Sequence, residues 1–155
     1  MQTVKIVDYS EIYKKAFAEI NIAWITKDYE LEEEDQQELF QPEKYILNDG
    51  GAILIAIYNN EPVGTCALIN GGNGIFELVK MAVTEKARGL KIGRTLGEEA
   101  IKKAKELGCR KLILHSNTKT SSLAVALYRK LGFVEVPLGK SQWKRADIRM
   151  EIILK

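Results

Sequence analysis

With 155 residues, 46% of them hydrophobic, the chain has the size of one ordinary domain and enough apolar material for a core, so a single domain over residues 1–155 is expected. Its 23 Lys and Arg against 21 Asp and Glu leave no overall basic excess, which argues against nucleic acid as the main partner and for a small or locally charged ligand. No run of about 18 apolar residues occurs and the opening MQTVKIVDYSEIYKK lacks an apolar signal segment, so a cytoplasmic protein away from membranes is expected.

Alternation over residues 3–7 predicts a first strand, and Phe17, Ile20 and Trp24 recur at helical spacing over residues 13–25. Residues 31–39 carry the acidic run from Glu32 to Asp35, which reads as a solvated dipole partner early in a helix. Pro42 opens a further short helix that Gly50-Gly51 ends. Residues 52–58 and 63–69 are β-rich and are joined through Asn59-Asn60-Glu61-Pro62 as a hairpin, and residues 75–83 follow a glycine-rich turn as the next strand. Ile92, Leu96, Ala100, Ala104 and Leu107 share one helical face that Gly108 terminates. A strand over 111–115, a helix over 121–131 closed by Gly132, and strands over 133–136 and 148–154 complete the order β-α-α-β-β-β-α-β-α-β-β. That order predicts an α/β (α+β) fold, a mixed and mainly antiparallel sheet of about seven strands with flanking helices. Cys66 and Cys109 are read as reduced core thiols, and with His115 the lone histidine no metal site is expected.

Chemistry concentrates where the strand 75–83 runs into Arg88-Gly89-Leu90-Lys91-Ile92-Gly93-Arg94. Free amides of a glycine-containing turn and the positive end of a helix dipole suit an anion such as pyrophosphate, and Arg88, Lys91 and Arg94 add charge. Gly89 and Gly93 are expected to allow close backbone approach to that ligand. This segment resembles the [Q/R]xxGx[G/A] coenzyme signature of the GNAT superfamily of N-acetyltransferases, with Lys91 in place of its first glycine. The segment from Ala124 to Phe133 is similar to the AxxLYxKxGF segment of the same superfamily.

The resemblance covers residues 52 to the C-terminus and implies a GNAT-like sheet with strands four and five splayed around acetyl-CoA. Met81, Ala82 and Val83 are the implied backbone partners of the pantetheine arm. Ser121 stands where many members carry a coenzyme-contacting asparagine, and it is also a good N-cap. The resemblance implies acetyl transfer to a primary amine by direct attack in a ternary complex. Glu77 is the implied general base and Tyr128 the implied general acid toward the departing sulfur. Strand alternation puts Glu77 on one face with Val79, Met81 and Val83. Acceptor contacts are expected from Trp24, Tyr29, Glu77, His115 and Trp143, with the acceptor either a small-molecule amine or a peptide amine. A homodimer is common in the superfamily. Two other readings stay open: a sensor that binds acetyl-CoA without turnover, and an acyltransferase for a longer acyl-CoA.

Overall fold

The computed structural model describes residues 3–139 and 144–154. Seven strands among them form one sheet: β1 (Lys5–Asp8), β2 (Ala52–Tyr58), β3 (Glu61–Asn70), β4 (Ile75–Val83), β5 (Lys111–Ser116), β6 (Val134–Val136) and β7 (Ile148–Ile153), in spatial order β1-β2-β3-β4-β5-β7-β6. Neighbours are antiparallel except β4 and β5. A parallel pair needs a long crossover, which helix α3 (Ile92–Glu106) supplies. The mixed, mainly antiparallel sheet and its element order are those read from the sequence.

The helices α1 (Lys14–Asp28) and α2 (Glu33–Phe40) cover one face of the sheet, and α3 and α4 (Ser122–Leu131) cover the other. Burial on both faces explains why β2 reads as an unbroken apolar run. Its Ile53 and Ile55 enter the core under α1 and α2, while Leu54 and Ala56 enter the core under α3. Asn59 and Asn60 both adopt positive φ, 53° and 62°, which is the type I′ geometry that a two-residue hairpin between twisted strands requires. The segment after Pro42 is a single wide turn, Glu43–Leu47, in which the amide of Asn48 donates to the carbonyl of Glu43 five residues back.

Two features of β4 set up the site. Its pairing with β5 is confined to Ile75 with Lys111, Phe76 with Leu112 and Glu77 with Ile113; beyond that β4 runs on to Val83 and β5 to Ser116 without joining. This is the splay implied by the resemblance. The second feature is a bulge. Thr65 faces Ala82 and Ala67 faces Val79, so Cys66 alone spans the width of Lys80 and Met81, and Lys80 has a φ of +54°. The extra residue inverts the alternation. Val79 packs under α1 and α2 with Glu77 on its side, whereas Met81 and Val83 pack against the α3 core. The expectation that Glu77 shares a face with Met81 and Val83 is therefore corrected.

Candidate active site

A short turn over Glu85–Ala87 leads from β4 to Arg88, and the chain then passes through Gly89 at φ +84° and Lys91 at φ +60°, ψ 26° before α3 begins. Lys91 is the residue just outside the helix, and its carbonyl accepts the first helical bond from Thr95 at 3.1 Å. The amides of the first turn have no intrahelical acceptor and point out of the helix end. Ile92 is buried and anchors the turn to the core, while Arg88, Gly89, Leu90, Lys91 and Arg94 are exposed. The two glycines have different reasons. A Cβ on Gly89 would meet no protein atom, so its place rests on its φ and on the open space before it. A Cβ on Gly93 would lie 3.4 Å from Leu127 and 4.0 Å from Val83, an ordinary contact inside the protein, so the expected close approach there is replaced by helix packing.

A cleft open to solvent occupies the splay. It passes through the sheet: Glu77, Val79 and Lys80 line it with Trp24 and Tyr29 from the α1 side, and Met81 lines it with Ser121 and Tyr128 from the α4 side. Ala82 is buried beside it in β4, and Val83 ends the strand toward the turn before α3. Tyr128 is 6% exposed, stacked edge-on against Phe133 at 5.9 Å. Burial, with the Cys66 thiol nearby, drives its phenol well above its ordinary range, so it keeps its proton at any physiological pH. Cys66 and Cys109 are free and buried, and burial pushes the Cys66 thiol to about 12. Ser121 occupies the N-cap position of α4, yet its side chain makes no capping hydrogen bond, which corrects its expected structural role and leaves it as a cleft-lining residue. His115 Nδ1 lies 2.9 Å from Glu77 Oε2, so these two expected acceptor-side residues meet directly.

Beneath the α1–α2 side lies a charge cluster that sequence reasoning did not find. Lys80, 1% exposed, reaches Asp35 at 2.5 Å and Glu38 at 3.3 Å. Arg145 binds Asp35 through two nitrogens, at 2.8 and 2.9 Å, and Glu32 at 3.1 Å, and its guanidinium lies over the rings of Trp24 and Tyr29. Burial alone would raise the Asp35 carboxyl, but the hydrogen bond from Arg145 and the charge of Lys80 outweigh it and hold the group at about 2. Burial raises the Glu38 carboxyl despite Lys80. The acidic run is thus solvated only in part: Glu33 is exposed, whereas Asp35 is fully buried and closes a capping box with Glu32 at the start of α2. A lysine inside the apolar run Leu78-Val79-Lys80-Met81-Ala82 was the available signal, because a buried ammonium demands carboxylate partners.

Polar groups also pin the bulge. Trp24 Nε1 donates to Asn21 Oδ1 at 3.0 Å, Asn21 Nδ2 donates to Thr65 Oγ1 at 3.0 Å, and Thr65 Oγ1 donates to the Lys80 carbonyl at 2.7 Å. Tyr29 shares a 2.6 Å hydrogen bond with Thr120, which joins the end of α1 to the loop before α4. Trp143, the remaining expected acceptor contact, lies outside the described residues.

Comparison with known proteins places this geometry. The sequence pattern of the acetyltransferase (GNAT) family matches residues 11–133. A crystal structure of a GNAT-family acetyltransferase from Staphylococcus aureus superposes with a TM-score of 0.87 at 29% identity, covering 99% of this chain and 100% of that one. An acetyltransferase from Streptococcus agalactiae gives 0.82 at 23% identity, covering 97% and 98% of the two chains. A GNAT superfamily phosphinothricin acetyltransferase from Sinorhizobium meliloti, solved in complex with acetyl-CoA, gives 0.79 at 18% identity, covering 98% and 89%. The search of curated proteins returned no match. Among the described residues no helix is long and apolar enough to cross a membrane.

Proposed function

The chain belongs to the acetyltransferase (GNAT) family, an acyltransferase class that works with acetyl-CoA, and from that premise we propose that it acetylates a primary amine in a ternary complex, as one domain over residues 1–155. The observation that carries this reading is the aperture between β4 and β5, which has Glu77 on the α1–α2 side and Tyr128 on the α4 side. A proton acceptor and a proton donor thus stand at opposite mouths of one gap.

The residues present fit acetyl-CoA. The open space before Gly89, the first-turn amides of α3 and the cations Arg88, Lys91 and Arg94 suit its pyrophosphate, and the unpaired edge of β4 at Met81, Ala82 and Val83 suits its amide-bearing arm. Ser121 and Tyr128 line the same gap. When bound, the coenzyme supplies an acetyl group already activated as a thioester.

An alkyl ammonium of pKa about 10 is neutral in only about one molecule in a thousand at pH 7, and the ammonium has no lone pair. Glu77 takes its proton, directly or through a water. The amine nitrogen then attacks from the α1–α2 side, where Trp24, Tyr29 and His115 line its approach. As the C–N bond forms, a β4 amide near Ala82 or Val83 donates to the acyl oxygen while negative charge grows there. As the C–S bond breaks, the phenol of Tyr128, which burial keeps protonated, gives its proton to the departing sulfur, and the second proton that the nitrogen sheds on becoming an amide restores the phenol.

The experiment is a thiol-release assay with acetyl-CoA over a panel of amines, with product masses. Glu77→Gln is expected to lower kcat by about 10²- to 10⁴-fold while acetyl-CoA binding by calorimetry is retained. Tyr128→Phe should lower kcat with the acceptor KM unchanged. Coenzyme binding without thiol release on any amine would turn the reading toward a sensor.

A further inference from the structure

The backbone ladder between β4 and β5 ends at Glu77 and Ile113, and the next contact across the gap is made by side chains. His115, two residues further along β5, closes the crotch of the splay through its 2.9 Å bond to Glu77 Oε2. A carboxylate only accepts, so Nδ1 of the ring carries the proton. The other ring nitrogen, Nε2, is buried and has no hydrogen-bond partner among the described residues. The ring itself is firmly mounted. It is 8% exposed at the side chain, and its strand is paired on the far side with β7, where His115 faces Arg149.

We propose that His115 is a positioning residue for Glu77, whose carboxylate it holds through Nδ1–H in the orientation from which the acceptor's proton is taken. The inference rests on Glu77 being the base. A glutamate has three rotatable bonds and loses much rotamer freedom when fixed. A hydrogen bond from the neighbouring strand fixes it before the amine arrives. Burial of Nε2 is what separates this role from that of a base: the nitrogen able to accept a proton is closed off, and the exposed work falls to the carboxylate.

His115 is the sole histidine in the sequence, so nitrogen-resolved NMR reports on a single imidazole. The Nδ1–H tautomer is expected in the wild type and its loss in Glu77→Ala. An Nε2–H tautomer in the wild type overturns the proposal. In turnover, His115→Ala should lower kcat about 10- to 100-fold with the KM for acetyl-CoA unchanged, in line with the usual cost of removing a group that orients a working residue. His115→Asn, whose amide can replace the Nδ1 donor, should recover most of that loss. In a Glu77→Gln background, His115→Ala should cost no more than about twofold, because residues acting as a unit are not additive. Equal losses in both backgrounds, or an Asn variant no better than Ala, would overturn the positioning role alone. Full turnover in Glu77→Gln would overturn the base and this role with it. Should His115→Ala fail to fold, the tautomer and the Asn variant still decide.

Discussion

Replacing Lys80 by Met keeps the length of the side chain and its strained backbone position while removing one charge from the buried cluster. Lys80 is 1% exposed and lies 2.5 Å from Asp35 and 3.3 Å from Glu38. Stranding a buried charge by deleting its partner costs about 3–5 kcal/mol. Asp35 keeps its two-pronged bond to Arg145, and Glu38, already raised by burial, can take up a proton, so the lower figure is expected. About 3 kcal/mol corresponds to a melting temperature lower by about 6–12 °C for a chain of this size. Urea unfolding followed by circular dichroism at pH 7 gives the free energy directly, with an unchanged slope showing that the unfolded state is not altered. Adding Glu38→Leu should return most of the loss, since the pair is then removed together and no charge is left alone. A loss under about 1 kcal/mol is the size of an exposed ion pair and would refute a dry cluster, as would the absence of rescue.

Lys91→Gly relieves a left-handed residue costing about 1–2 kcal/mol and adds about 0.5–1 kcal/mol of chain entropy to the unfolded state, so a gain of about 0.5–1 kcal/mol in thermal unfolding is expected. The same variant should bind acetyl-CoA more weakly at low salt and almost equally at high salt, whereas Lys91→Ala should lose the affinity without gaining stability. Asp35 is held at about 2, below its unfolded value near 3.9, so the stability it contributes, about 2 kcal/mol, is complete above pH 5 and disappears as pH falls toward 2. Acid titration of the unfolding free energy should show that limb in the wild type and a flatter one in Asp35→Asn.

Much of the architecture was legible because its signals are local. The bounds of β2 and β4 follow from β-rich runs closed by glycine and asparagine, and α3 follows from five apolar residues on one face. The turn that leads into α3 was legible as a strand, a glycine and a helix start. What escaped was long-range or unmarked. Nothing in the residue type of Lys80 announces a positive φ, so period-two counting carried Met81 and Val83 to the wrong face. Arg145 and Asp35 are 110 residues apart, and only folding shows that they meet, so nothing local separates the buried Asp35 from its solvated neighbour Glu33. Ser121 fits the cap position by composition, but its side chain turns out not to make the bond that composition favours. Glu77 and His115 were both singled out, while their contact depends on a strand neighbour that sequence order alone does not reveal.

The sheet keeps its shortest strands, β1 and β6, at its rims and its long unsatisfied margin indoors, along β4 past Glu77. Exposed margins recruit stray chains and seed aggregation. Here the stretch most able to recruit is screened by its own neighbours, so that under the proposed function the same amides and carbonyls that would be a hazard on the outside are kept for a slender guest.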